Sequence, residues 1–410
     1  MQRFEAAQIL MLNNSNNISF LLGSLRHCGV ETDLVFSDTV VNFLAEWSKV
    51  LLSSPDIRPY PDIATFAFFC RRSNINKIKD NRNNNALIRR GRGLVLHISP
   101  SNVPVNFAYS LVIGLLAGNE NIVRVPTGHF PQIEILISSL KITLRSSVFD
   151  AVSRRIVVVR YDKNSVVTEQ LSRLCQARVI WGGDRTVQEI RRVPSPPRNI
   201  DVVFPDRYSA CVIDAEAYLA SSSKDKLAEG FYNDTYLWGQ GACTAPHFVA
   251  WRGNHDTVKA AKSVFWSILS GLVQERYDFS DGVTAVNKLN TFCLGAANEV
   301  FDSGGPVCDN RLWRVGVRSI SVGLSRYRCF GGFFTECRVS CLAELSPVMD
   351  YSFQTLSYYG ISKDELVEFV RTASFNGLDR VVPIGMTLDF SLNWDGYDLI
   401  STLSRCIEVK

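Results

Sequence analysis

The sequence predicts an α/β protein of two domains, the first organised on a parallel sheet, and three observations carry that prediction. Short apolar runs alternate with helical patterns through residues 94–192, the signature of strands joined by crossover helices. Each run ends in a Gly, Pro, Ser or Asn turn. Finally, 410 residues with 46% hydrophobic and 20% charged content suffice for two or three ordinary globular domains.

In chain order, Met1–Phe69 reads as helical, with Val40, Val41, Phe43, Leu44, Trp47, Val50 and Leu51 on one face. Arg71–Arg92 then gathers arginines and lysines among asparagines, with Asp80 opposing them. It lacks the interleaved aromatics that stack bases, so a solvated connector is expected, with attraction of a phosphorylated ligand left open. Leu94–Ile98 is a strand, Ser99–Asn102 a turn, and Val103–Ala117 a buried helix stopped by Gly118-Asn119. Ile122–Val125, Ile156–Arg160 and Arg178–Trp181 are further strands, with helices at Pro131–Leu144 and Thr186–Arg192. Ligands of such sheets sit at the carboxyl ends of strands, where Asn102, Arg124, Thr127, Gly182 and Gly183 fall. Each has a plain alternative: Asn102 as a helix cap, Gly182-Gly183 as a tight turn, Arg124 as a surface arginine.

Composition excludes several classes. A net charge of +4 is slight for this length and points to neither nucleic acid nor a membrane surface. The eleven cysteines lack paired spacing, and with five histidines they form no metal-ligand pattern, so neither a disulfide framework nor a zinc site is expected. A reducing cytoplasm fits. Met1–Phe20 has no secretory pattern, and the apolar segment Phe107–Ala117 is too short to span a bilayer. The Asn-x-Ser/Thr triplets at Asn13, Asn17 and Asn233 would matter only in a secreted protein.

Trp238–Ala245 is the stretch of greatest chemical interest. Cys243 is flanked by Gly239, Gly241, Ala242 and Ala245, which leaves a planar carbonyl an open approach to the sulfur. Ahead of it Leu227, Phe231, Thr235 and Trp238 recur at helical spacing, so an amphipathic helix delivers the cysteine to a turn. A small core hydrophobe is the plain alternative. His247 follows too closely after Pro246 to be aligned with Cys243 on a helix.

Taken together these stretches resemble one family. His97-Ile-Ser-Pro-Ser-Asn-Val-Pro, followed by Leu-Leu-Ala-Gly-Asn-Glu-Asn-Ile-Val-Arg-Val-Pro-Thr, is similar to the cofactor segments of the aldehyde dehydrogenase superfamily, and Gly239–Cys243 to its nucleophile motif. Val179–Asp184, Phe204–Asp214, Gln354-Thr355 and Asp379–Leu399 resemble the LuxC-type fatty acyl reductases within it. The resemblance implies an aldehyde dehydrogenase-like fold, with a Rossmann-like cofactor domain over 1–204, a catalytic domain over 205–383 and a return segment over 384–410. It implies reduction of a fatty acyl thioester to an aldehyde through a Cys243 thioester, with NADPH, or NADH, as reductant. Asn102 would stabilise the oxyanion; Arg124, Thr127, Gly182, Gly183 and Glu336 would hold the cofactor. An acyl-activating synthetase partner and self-association are implied by the same route.

Three departures stand out. Arg124 replaces the usual lysine and keeps the charge, Val187 replaces a second glycine, and Phe204 stands where oxidising members place a glutamate base ahead of Ser209. Without that base, hydrolysis of a thioester is disfavoured and reduction is favoured. The rival readings are an aldehyde dehydrogenase, coenzyme A-acylating or oxidising, and a non-catalytic acyl-binding scaffold.

Overall fold

The computed structural model describes residues 17–25, 32–82, 88–100, 102–162, 166–279, 281–302 and 307–410. Part of the stretch expected to be helical, with Asn13 and Cys28, lies outside the described residues, as do Ser101 of the turn cluster and residues 83–87 of the basic stretch. The chain forms two units, Met1–Pro205 with Leu392–Lys410, and Asp206–Ser391.

In the first unit the strands are β1 (Ser19–Leu22), β2 (Ile88–Gly91), β3 (Leu94–Ile98), β4 (Glu120–Val125), β5 (Ile156–Arg160), β6 (Ala177–Trp181) and β7 (Ile200–Phe204). Six of them make a sheet in the order β1-β5-β4-β3-β6-β7. All its pairings are parallel except β1 with β5. Covered on both faces, β3 and β6 are buried throughout, which is why they read as unbroken apolar runs. After β3 the chain builds outward through β4 and β5, then crosses back to β6 on the other side. That reversal opens a crevice at the carboxyl ends of β3 and β6.

The helices of this unit are Asp38–Ser53, Pro61–Phe69, Arg72–Asp80, Asn106–Leu116, Pro131–Thr143, Asp150–Ser153, Val167–Leu174 and Asp184–Arg191. The amino-terminal region is therefore not wholly helical: Ser19–Leu22 is an edge strand held by the distant β5. The apolar face expected between Val40 and Leu51 is buried except at Val50, which is half-buried, and Trp47 donates its indole N–H to Ser139 Oγ at 2.8 Å.

A buried polar chain crosses this unit. Trp181 Nε1–H donates to Ser110 Oγ (3.2 Å), Ser110 lies 2.7 Å from His97 Nδ1, and His97 Nε2 lies 3.0 Å from Asn121 Oδ1. Asn121 Nδ2 donates to Asn119 O at 2.9 Å. This leaves Asn121 Oδ1 as an acceptor and assigns the imidazole proton to Nε2. Gly114 makes room for the chain, since a Cβ there would sit 1.9 Å from Asn121 Oδ1.

Arg178 joins β6, β7 and the helix between them. Buried, it grips Asp201 with two parallel bonds (2.7 and 2.8 Å) and donates to Ile190 O and Val193 O (3.0 and 3.1 Å) at the end of helix Asp184–Arg191. Arg178→Met removes one partner of a buried pair and leaves those carbonyls unpaired. It is expected to cost the first unit about 3 kcal/mol, measured as the loss in chemical unfolding free energy.

The second unit has β8 (Tyr208–Asp214), β9 (Pro246–Arg252), β10 (Val307–Asp309), β11 (Leu312–Gly316), β12 (Phe333–Val339), β13 (Phe353–Tyr359) and β14 (Arg380–Pro383). They form one sheet in the order β10-β11-β12-β9-β8-β13-β14, parallel except for β10 with β11. Side chains alternate along β9: Phe248 and Ala250 enter one core with Phe333 and Leu356, Val249 and Trp251 the other with Phe231 and Phe265.

The chain then returns to the first unit through β15 (Asn393–Trp394), β16 (Tyr397–Asp398), helix Leu399–Leu403 and β17 (Ser404–Ile407), which pairs with β2. The return begins at Leu392, so residues 384–391, expected within it, stay with the second unit. The basic stretch is corrected here. It is no solvated connector: Arg82 pairs with Asp398, Arg89 donates to Ser401 O (3.3 Å), Arg92 to Thr402 O (2.7 Å), and Asn119 Nδ2 to Leu403 O (2.9 Å). Cations at the carbonyl end of a helix are favourable, and Arg89 and Arg92 cap the returning helix while Arg82 holds its N-cap residue Asp398.

Candidate active site

Helix Lys224–Tyr236 ends just before the cysteine and buries Phe231 and Thr235, as its spacing predicts. The chain then reverses through Gly239 (φ 56°) and Gln240 (φ 65°), and the second is a left-handed conformation that a side chain tolerates only when held. What holds it is Gln240's own amide, which is 1% exposed. Its Oε1 accepts from Gly332 N–H (2.9 Å) and Phe333 N–H (3.0 Å), and its Nε2 donates to Pro246 O (2.9 Å) and Phe333 O (3.1 Å). All four bonding positions of the side chain are filled, which fixes the turn in one conformation.

Cys243, partly exposed, follows this turn. Gln354 Nε2 donates to its sulfur at 3.5 Å, and Ser209 Oγ donates to its carbonyl at 2.8 Å. Ser209 in turn accepts from Thr355 N–H at 3.1 Å. Neighbouring strands β8 and β13 thus grip the cysteine at both sulfur and carbonyl. An amide N–H beside sulfur supports negative charge there, and the thiolate is the reacting form of a cysteine. Gln354 and Ser209 lie far from Cys243 in sequence, and no spacing rule finds such a contact.

In the first unit the crevice is a cleft of about 710 Å³ whose lining includes Asn102, Arg124, Thr127, Gly182, Gly183 and Trp181. Five expected site residues therefore meet in one cavity. Asn102 is exposed at a bend ahead of helix Asn106–Leu116, where Val105 holds the cap position, so it does not cap the helix. Arg124 is no free surface arginine: it donates to Tyr161 O (3.3 Å) and lies over the Tyr161 ring at 5.4 Å. Burial pushes its guanidinium below the usual range, against the pull of Tyr161 and Asp162. Gly183 stands at the N-cap of helix Asp184–Arg191, and a Cβ there would meet nothing within 4 Å, so a ligand has open access to the helix N-terminus. Trp181 forms one wall and stacks on Phe204 at 3.7 Å.

Two other residues are committed elsewhere. Glu336, expected toward a cofactor, is 6% exposed; it accepts from Trp251 Nε1 (3.1 Å) and Trp266 Nε1 (2.9 Å) and pairs with Lys262 (2.9 Å). Both carboxylate oxygens are engaged inside the second unit, with Trp251, Trp266 and Lys262 in place of a ribose. His247 is buried on β9 rather than beyond a broken helix, with Nδ1 3.2 Å from Cys329 O. Asp206, the acid nearest the missing base position, is paired with Arg328. Among the described residues no group of three or more His, Cys, Asp or Glu side chains is placed to hold a metal, and no helix is long and apolar enough to cross a membrane.

Comparisons with known proteins agree with this architecture. Among curated proteins none matches the sequence. The fold is similar to 1-pyrroline-5-carboxylate dehydrogenase from Thermus, solved with bound NAD (13% identity, 90% of this chain, 80% of that one, TM-score 0.59). It is similar also to an NAD-dependent benzaldehyde dehydrogenase from Corynebacterium glutamicum (11% identity, 96% and 95%, TM-score 0.61) and to lactaldehyde dehydrogenase from Escherichia coli (12% identity, 90% and 84%, TM-score 0.59). The fold is thus that of the aldehyde dehydrogenases. The family model for acyl-CoA reductase (LuxC) matches residues 72–274, from the first parallel sheet through Cys243. Residues 72–274 thus match the acyl-CoA reductase (LuxC) family, on a fold of the aldehyde dehydrogenase type.

Proposed function

We propose that the protein reduces a fatty acyl thioester to the aldehyde with NADPH, through an acyl group carried on Cys243. The observation that carries the reading is the partly exposed Cys243 at the end of a pinned turn, with the Gln354 amide 3.5 Å from its sulfur. The thiolate attacks the thioester carbonyl, the new carbon–sulfur bond forms, and the coenzyme A thiol leaves. Asn102, by the family resemblance, supplies an amide donor to the oxyanion of that step. The first unit's cleft has the features of a dinucleotide site: a free helix N-terminus at Gly183 for a pyrophosphate, Arg124 for a further phosphate and Thr127 at the strand end. A reduced nicotinamide bound there would supply the hydride that releases the aldehyde and restores the thiol. Phe204 and the paired Asp206 leave no carboxylate base where the oxidising enzymes carry one, so the acyl group waits for reduction instead of water.

The test is a two-stage incubation. Radiolabelled palmitoyl-CoA should label the protein at Cys243, and NADPH should then discharge the label as aldehyde, faster than NADH at equal concentration. Binding is followed separately by energy transfer from Trp181 to NADPH, lost in Trp181→Phe. Label that stays on through addition of either nucleotide would favour the scaffold; NAD(P)H formation from aldehyde without coenzyme A would favour the oxidising enzyme.

A further inference from the structure

Helix Gly282–Ala297 is built inside out. Val283, Val286, Leu289 and Leu294 are exposed, while its one charged residue, Lys288, is 0% exposed. Burying an ammonium is costly unless its donors are used, and this one donates to Asn310 O (2.8 Å) and to Gly331 O, with the Phe279 ring 4.7 Å away. The peptide that joins Gly331 to Gly332 is thereby tied on both sides: its carbonyl, that of Gly331, accepts from Lys288, and its N–H, that of Gly332, donates to Gln240 Oε1 at 2.9 Å. The preceding peptide adds a second contact with the nucleophile turn, Gly331 N–H donating to Gly239 O at 2.9 Å.

Both glycines are required where they stand. Gly331 (φ 70°) and Gly332 (φ 85°) are left-handed. A Cβ would sit 2.9 Å from Thr284 Cγ2 at the first and 2.2 Å from Arg311 O at the second. A hydrogen bond at a carbonyl polarises the peptide and strengthens what its N–H donates, so the Lys288 charge acts through the Gly331 carbonyl and the Gly332 N–H on Gln240. We infer that Lys288 is a positioning residue for acyl transfer, its buried ammonium fixing the Gly331-Gly332 turn that backs the Gly239-Gln240 turn and so sets the attack position of Cys243. The inference rests on the acyl-transfer reading for its catalytic meaning.

The experiment compares Lys288→Met and Gly331→Ala with the parent in the full chain. Two readouts are taken: the rate of Cys243 alkylation by iodoacetamide, with Cys243→Ala as blank, and steady-state kinetics with palmitoyl-CoA. NADPH binding to the first unit and the melting curve serve as controls for folding. In Lys288→Met, alkylation and kcat are expected to fall roughly tenfold or more with KM for the acyl donor unchanged; a structural loss would lower active protein without that split. A folded Lys288→Met with parental alkylation and kcat overturns the inference. Should that variant fail to fold, Gly331→Ala decides, because it disturbs the same turn with the lysine in place, and a parental alkylation rate there overturns it equally. Failure of the parent to accept an acyl group would sink the reductase reading alone, since alkylation reports the turn without that chemistry.

Discussion

Cys243→Ala is expected to abolish the acyl-enzyme and to lower palmitoyl-CoA-dependent NADPH consumption on the order of 10⁴-fold. Without sulfur there is no atom at the end of the pinned turn to hold the acyl group. The buried thiols are poor replacements: burial pushes Cys175 up to about 12 and raises Cys211 and Cys329 as well. Intact-mass spectrometry checks the first part, the parent gaining one acyl group and the variant none. NADPH binding should survive, because the proposed cleft lies wholly in the first unit. Parental turnover in the variant would assign the acyl group to another atom.

Acid is expected to unfold the protein well above the range where carboxylates alone would do so. Burial lowers His97 from 6.5 to about 4 and His247 from 6.5 to about 3. Both are depressed in the folded state, so the unfolded chain takes up the proton first. Their stabilising contribution is complete above about pH 6.5 and drains as pH falls toward the folded values. The shifts correspond to about 3 kcal/mol for His97 in the first unit and about 5 kcal/mol for His247 in the second. Asp234 opposes part of this in the second unit. Burial raises it to about 6 despite bonds from Gly385 N–H and Thr387 N–H, so its contribution is greatest in acid and is lost as pH rises from about 4 to 6. Unfolding free energies at pH 7, 5 and 4 check the prediction: His97→Gln and His247→Gln should each be less stable than the parent at pH 7 and lose less on acidification. Equal slopes for parent and variants would contradict it.

The sheet of the first unit was readable because its central strands are covered on both faces and bounded by Gly and Pro, so hydrophobicity and punctuation coincide. β1 was not, because Ser19–Leu22 owes its conformation to pairing with residues 156–160, a long-range bond that leaves no periodic mark. Arg82, Arg89 and Arg92 looked solvated since their partners are an aspartate and backbone carbonyls more than 300 positions away. At the site, Cys243 and the cleft glycines were legible from local composition and motif. Gln240 and Lys288 were less so: each works by filling backbone bonding positions, and such work is invisible until the loops are brought together. Glu336 shows the converse, a motif-like residue drawn into a tryptophan-lined interior.

The return of residues 392–410 to the first unit has a bearing on biosynthesis. The arginines of the early chain have no helix to cap, and β2 no strand of the return segment to pair with, until residues 399–407 have been made. The continuous insert Asp206–Ser391 has no such wait. Vectorial synthesis therefore favours completion of the unit that carries Cys243 first, with the other unit closing only once residues 392–407 have emerged.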